Sequence, residues 1–269
     1  MDTSSASNSA SSSASSRAVA GAEALGSTRP VRNEPAFVLH STPWRETSLV
    51  VELFSRSYGR VPVIARGAKR PRSAMRAVLL AFQPLTVGWS GRGELRTLMA
   101  VDWVGGLPMP QGSALLSSFY LNELLVRLLP REDPHPELFD AYLEAVGALG
   151  HEMAIEPTLR RFERSLLEKI GYGADLARDA NGTAIDPSVM YGFDPVRGWV
   201  TQAGSADPED RRAGMQGFAG ATLCALASGA FDDPQLLAQM KSLTRMMLNA
   251  RLEGRQLATR QILLDLQRL

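Results

Sequence analysis

The chain has 269 residues, 45% of them hydrophobic, with 29 basic and 28 acidic side chains; that length supports one or two domains with packed cores. No apolar run approaches the roughly 18 residues of a membrane span, and the single cysteine, Cys224, excludes internal disulfides and a cysteine-built metal cage. Near-neutrality hides a segregation: residues 36–106 carry ten basic and four acidic residues, residues 107–240 ten and nineteen, and residues 241–269 six and two, which points to modules with different surfaces.

Residues 1–33 open on a Ser/Ala run without apolar periodicity, a composition that cannot bury enough surface to order itself. The segment has neither the apolar core of a secretory signal nor the Arg-rich, acid-free character of a transit peptide. The expectation is a disordered tail on a cytoplasmic protein.

Residues 34–106 read as strands. Ala36–Thr42 is short and apolar. In Ser48–Ser55, Leu49, Val51 and Leu53 point one way and Val50, Glu52 and Phe54 the other. Tyr58-Gly59 is a tight turn, and Arg60–Gly67 is a third strand with Val61, Val63 and Ala65 on one face. Pro62 weakens that strand or places it at an edge. Lys69–Arg72 is a basic loop, Ser73–Phe82 a short helical piece, and Leu85–Trp89 with Glu94–Trp103 a hairpin across Ser90–Gly93. Three strands, a short helix and two strands in this length are the order of a small OB-type Greek-key barrel.

From residue 107 the periodicity is helical. Ser113–Leu129 is apolar nearly all round, Glu137–Leu149 follows Pro136, and Pro157–Ile170 carries the stripe Leu159, Phe162, Leu166 and Ile170. Residues 175–202 are loop-like, with a small hairpin of Met190–Phe193 and Trp199–Thr201. Met215–Ala227 is helical, Asp233-Pro234 opens another helix that Gly254 ends, and Leu257–Leu266 is the last. The fold class is therefore α+β: a tail (1–33), an OB barrel (34–106) and a mainly helical domain (107–269) with a loop and hairpin insertion near 175–202.

Catalytic constellations are absent from the sequence. The three histidines, His40, His135 and His151, are scattered, and His151-Glu152 lacks the second histidine of a zincin. Gly91-Arg92-Gly93 precedes a strand, where a dinucleotide fingerprint needs a helix. Cys224 lies on an apolar stretch, the setting of an inert thiol. An enzyme is not expected.

The strongest signal is Phe54–Gly93. It holds Arg56, Arg60, Arg66, Lys69, Arg70, Arg72, Arg76 and Arg92, and no acid. Stacked like charge favours a polyanion partner. Arginine's planar fork suits phosphate oxygens, and an OB barrel offers a groove across its strands for a single strand. Trp44, Phe54, Tyr58 and Trp89 are the nearby rings that could stack on bases. These eight cations, with Arg96, are the candidate DNA-binding residues. Arg160 and Arg161 open the amphipathic helix, where Glu156–Arg160 and Arg164–Glu168 have i,i+4 spacing. Competing readings of the basic face are an RNA-binding OB protein and a scaffold that docks an acidic protein.

The blocks Ala36–Ser41, Trp44–Leu49, Ser57–Val61, Ala65–Lys69, Gly91–Leu95, Tyr120–Leu125, Leu159–Glu163 and Gly171-Tyr172-Gly173 occur in the order in which similar blocks occur in the RecO family of bacterial recombination mediators, and the chain resembles that family. The resemblance implies an OB domain and a helical domain. It implies binding of single- and double-stranded DNA in the nucleoid, annealing of complementary strands, and loading of RecA on SSB-coated DNA together with RecR. It further implies that the SSB C-terminal tail meets Arg160 and Arg161. Many relatives carry a four-cysteine zinc site after the Gly-Tyr-Gly block. Residues 175–199 contain no cysteine, so the expectation is that the zinc site is lost and no cofactor is bound.

Overall fold

A computed structural model describes residues 30–171, 176–194, 196–202, 216–252 and 254–266. The expected disordered tail as far as residue 29, Tyr172-Gly173 and Met215 lie outside the described residues. The chain forms two compact units, one running to Leu107 and including Leu129–Asp140, the other comprising Pro108–Leu128 and the residues from Ala141 onward.

In the first unit β1 (Val31–Trp44), β2 (Ser48–Ser55), β3 (Gly59–Ala65), β4 (Leu85–Ser90) and β5 (Arg96–Trp103) close into a barrel of order β1-β2-β3-β5-β4, with the short helix α1 (Ala74–Val78) between β3 and β4. This is the expected OB topology. The alternation written in the sequence fills it: Val51 and Leu53 of β2, Val61, Val63 and Ala65 of β3, Val87 and Trp89 of β4 and Leu98 of β5 are all buried in one core. β1 is long enough to pair with β4 near Ala36 and with β2 beyond it, with an irregularity between Val38 and His40, so one strand closes the barrel.

The helical piece is shorter than Ser73–Phe82. It stops at Val78 because the chain turns back to the barrel: Ala81 bridges to Val38, and Phe82 takes a left-handed φ of 66° while fully buried. Met75, Val78 and Leu79 pack against the barrel core, which leaves Arg76 exposed.

Residues 129–140, expected in the helical domain, instead belong to the barrel unit. β3 meets β5 only at Val63 and Ile64. Before that contact the edge of β3 is filled by Arg131, which bridges to Arg60, and the Glu132 N–H donates to the Arg60 carbonyl at 3.0 Å. Phe139 sits 5.4 Å from Phe37 and 5.5 Å from Phe54, ring to ring. Gly59 makes this approach possible. It has a φ of +66°, and a Cβ there would lie 2.1 Å from the Asp133 carbonyl oxygen.

The second unit contains α2 (Gly112–Leu128), most of α3 (Pro136–Gly150), α4 (Ile155–Lys169), α5 (Gly220–Ser228), α6 (Pro234–Arg251) and α7 (Ala258–Leu266). Leu121, Leu124, Tyr142, Val146, Phe162, Leu166, Leu223 and Leu243 are buried. The Asp233 carboxylate caps α6 by accepting from the Gln235 N–H at 2.8 Å, with Pro234 in the first turn.

The expected hairpin forms from β6 (Met190–Asp194) and β7 (Gly198–Thr201), and Asp194 holds its turn by accepting from the Val196 and Arg197 N–H groups. A third strand, β8 (Gly217–Ala219), pairs with β6 in a segment expected to be helical. The helix begins at Gly220, where a Cβ would lie 1.9 Å from the Asp186 carbonyl oxygen, so this close approach selects glycine.

Candidate nucleic-acid interface

The β1–β2 turn and the loop after β3 lie together at one end of the barrel. Trp44 pairs with Ser48, and Leu49 with Ala65, so the register places Arg45–Thr47 beside the chain leaving β3. Two bonds fix the contact: the Lys69 N–H donates to the Thr47 carbonyl at 2.9 Å, and Lys69 Nζ to the Arg45 carbonyl at 3.5 Å. Successive turns then shape residues 65–76, with the Arg70 N–H on Gly67 O, Ser73 N–H on Arg70 O and Arg76 N–H on Ser73 O.

Arg45, Arg66, Lys69, Arg70, Arg72 and Arg76 are all exposed here, against Glu46 alone. Among the described residues none of the six forms an ion pair. Trp44, 41% exposed, ends β1 at the same turn. Cations without internal counterions and an exposed ring are what a nucleic-acid backbone and its bases would use.

The other expected residues do not join this cluster. Arg60 and Arg96 are 9% and 8% exposed. Arg60 Nε donates to Glu52 Oε1 at 3.0 Å and its Nη1 to the Leu129 carbonyl, while Arg96 Nη2 reaches Glu132 at 2.6 Å. Arg131 adds a second cation to Glu52 at 3.0 Å. Withdrawing Arg60 for a phosphate would take one of two cations from a buried carboxylate and break the bond to the Leu129 carbonyl. These two arginines therefore hold residues 129–140 to the barrel.

The same segment corrects the expected groove across the strands. On the outer side of β2 and β3, Glu52, Phe54, Arg60 and Pro62 are buried, so that face is occupied by the chain itself. Ser48, Val50 and Ile64, next to the basic loop, are half-buried.

Arg56 and Arg92 lie at the opposite end. Arg56 makes a two-pronged pair with Asp140 at 3.1 and 2.7 Å, which holds the Asp140 carboxyl below its ordinary range and raises Arg56. Arg92 is exposed at the β4–β5 hairpin tip, the end where Trp89 meets Tyr58 edge-on at 5.2 Å. That end is about 20 Å from the loop cluster along the seven residues of β3. Of the four candidate rings, Phe54 and Trp89 are core and Tyr58 packs on Trp89, so Trp44 is the exposed one. Arg45 was missed because charge counting over an acid-free window starts after it; its place beside Trp44 was the available signal.

In α4, Arg160 and Arg161 separate. Arg160 is 3% exposed; its Nη2 donates to Glu163 at 2.8 Å and its Nη1 to Thr244 at 3.3 Å. Glu163 also accepts from Tyr120 and Thr244. Burial pushes the Glu163 carboxyl up, against the opposing pull of Arg160 and these hydrogen bonds, and raises the Tyr120 hydroxyl further. The expected Glu156–Arg160 pair does not form, because Glu156 pairs with Lys241 of α6 at 2.6 Å. Arg161 is exposed, with its guanidinium 5.3 Å from the centre of the Phe231 ring.

Among the described residues no cluster of three or more His, Cys, Asp and Glu side chains could hold a metal ion, and no helix is long and apolar enough to cross a membrane. Between residues 176 and 202 the carboxylates of Asp179, Asp186 and Asp194 are committed to backbone N–H groups of their own turns. This donor set does not fit a zinc site.

Comparison with known proteins identifies the family of both units. The family model for the recombination protein O N-terminal domain matches residues 31–107, and that for its C-terminal domain residues 109–261. A protein of Aromatoleum aromaticum named DNA repair protein RecO is 48% identical over 247 residues, 91% of this chain and 100% of the relative. Proteins of the same name from Burkholderia pseudomallei and Ralstonia nicotianae are 48% and 45% identical, over 89% and 93% of this chain and 85% and 90% of their own lengths. With both domain models matched in tandem over the barrel and the helical unit, the chain belongs to the RecO family of DNA repair proteins.

Proposed function

We propose that the chain is a DNA-binding recombination mediator that anneals complementary strands and, with RecR, assists RecA loading on SSB-coated single strands. The observation that carries this reading is the cluster of exposed cations around Trp44, free of internal ion pairs among the described residues. Phosphates would lie on Arg66, Lys69, Arg70, Arg72 and Arg76, with Arg45 as an addition, and a base would stack on Trp44. Arg56 and Arg92 at the far end would serve a longer strand or a duplex. Arg60 and Arg96 are assigned no DNA contact.

The SSB tail, acidic and ended by a carboxylate, would meet Arg161 at the rim of α4. Arg160 beneath it is a support, since its guanidinium is already committed to Glu163. The residue 176–202 module is read as metal-free, held by turn hydrogen bonds and by the packing of Trp199 on Phe193 and Phe218, and no cofactor is assigned.

The test is a salt titration of single-strand binding. Each lost phosphate contact lowers the slope of log K against log salt by about 0.7. The triple variant Lys69→Ala, Arg70→Ala, Arg72→Ala is expected to bind far more weakly with a flatter slope. Wild-type affinity and slope in that variant would overturn the site, and competition with RNA of equal length checks the nucleic-acid class.

A further inference from the structure

The helical unit carries a cavity that the DNA reading has not used. It lies where α6 hands over to α7, has a volume of about 380 Å³, and is lined by Asn249, Arg255, Gln256, Arg260 and Gln261 with Leu257. The chain makes this corner sharply. The Leu252 N–H still bonds Leu248 O, Gly254 takes a φ of 78°, and the Arg255 N–H returns to Leu252 O at 2.8 Å.

The polarity of the cavity comes from side chains. The first amides of α7 are already used: Glu123 accepts from the Ala258 N–H at 2.8 Å, and from the Thr259 N–H at 2.9 Å and its hydroxyl at 2.7 Å. The lining residues carry two guanidinium groups, three carboxamides and one aliphatic side chain. Guanidinium forks match phosphate oxygens. Carboxamides pair a donor with an acceptor, the pattern of a base edge. The volume is in the range of pockets that hold a small ligand, roughly 300–1,000 Å³, which admits one nucleotide. A Phe-ended acidic peptide would need an apolar socket, and Leu257 is the one apolar side chain in the lining. The surrounding residues 241–269 carry six cations against two acids, a field that favours a polyanion.

We infer that this corner is a second single-stranded DNA contact, holding one nucleotide through its phosphate and base edge. The inference rests on the reading of the chain as a DNA-binding protein and adds a contact beyond the barrel loops. Two contacts on one chain would let it hold two strands, or two stretches of one.

The experiment counts oligothymidylates of about eight nucleotides, within the site size of an OB fold, bound per full-length chain by native mass spectrometry. The wild type is expected to bind two. Arg255→Gln with Arg260→Gln should bind one, the barrel variant Lys69→Ala, Arg70→Ala, Arg72→Ala the other one, and the combination none. If the arginine pair does not fold, Gln256→Ala, at an exposed position, should weaken the second binding event by roughly tenfold. A single oligonucleotide on the wild type, lost only in the barrel variant, overturns the pocket and leaves the DNA reading standing. No oligonucleotide on the wild type overturns both. An SSB-tail peptide that loses its binding in Arg255→Gln, Arg260→Gln while the oligonucleotide count is unchanged assigns the cavity to a peptide and rejects the inference.

Discussion

Arg60 and Glu52 face each other on the outer side of β3 and β2, Nε to Oε1 at 3.0 Å, with both residues buried. The pair is the hub of residues 129–140, since Arg131 binds the same carboxylate and Leu129 receives Arg60. Glu52→Ala would leave Arg60 buried without its counterion. The expected loss is about 3–5 kcal/mol, read in urea unfolding. The folded variant should keep the wild-type salt slope for DNA, because neither residue is a phosphate contact. A changed slope with unchanged stability would return Arg60 to the interface.

The barrel was legible in the sequence because its signal is local. Alternation in Ser48–Ser55 and in residues 60–67 assigns inner and outer positions before any contact is known. The pairing of Arg60 with Glu52 was not legible as structure, because the carboxylate lies eight residues back and the covering segment about seventy residues ahead. Charge counting treated Arg60 and Arg66 alike, yet one is buried and one exposed; burial of a cation depends on partners that the local window does not contain. The same limit hid Arg160. Its i,i+4 neighbour Glu156 was the visible partner, but α6 brings Lys241 to Glu156 and Thr244 to Arg160.

Trp44 is the exposed ring of the loop cluster. Trp44→Ala should weaken single-strand binding by about 1–3 kcal/mol, the range for base stacking, with little change in salt slope, since no phosphate contact is lost. Arg45→Ala should do the reverse, with a small affinity loss and a slope lower by about 0.7. Fluorescence anisotropy across a salt series separates the two. Identical behaviour of the two variants would reject stacking on Trp44.

Gly59 combines a left-handed backbone with a carbonyl of residues 129–140 where its side chain would be. Gly59→Ala has to strain φ and displace Asp133. We expect a loss of about 2–4 kcal/mol and faster proteolysis within residues 129–140. A loss below about 1 kcal/mol would mean that the segment yields easily and does not close the β3 edge.

The Trp199 ring is buried against Phe193 at 5.0 Å and Phe218 at 6.3 Å. If this aromatic cluster does the work of a metal in the residue 176–202 module, Trp199→Ala should cost about 3–5 kcal/mol, while EDTA should leave the wild-type Tm unchanged. A Tm that falls on chelation and recovers with zinc would reject the metal-free reading.

Asp140 and Arg56 give a pH dependence with a definite sign. The guanidinium holds the Asp140 carboxyl below its ordinary value. A carboxyl depressed in the folded state stabilises above its unfolded pKa, and that contribution is lost as pH falls through the folded pKa. The pair is about half exposed, 46% and 48% by side chain, so solvent screening keeps it to at most about 1 kcal/mol. Asp140→Asn should therefore be slightly less stable than wild type at neutral pH, and the gap should close as pH drops below the ordinary aspartate range near 4. The same substitution releases Arg56, so single-strand affinity at neutral pH should rise modestly, with a steeper salt slope. A stability gap that persists at low pH would show that Asp140 acts through packing and not through its charge.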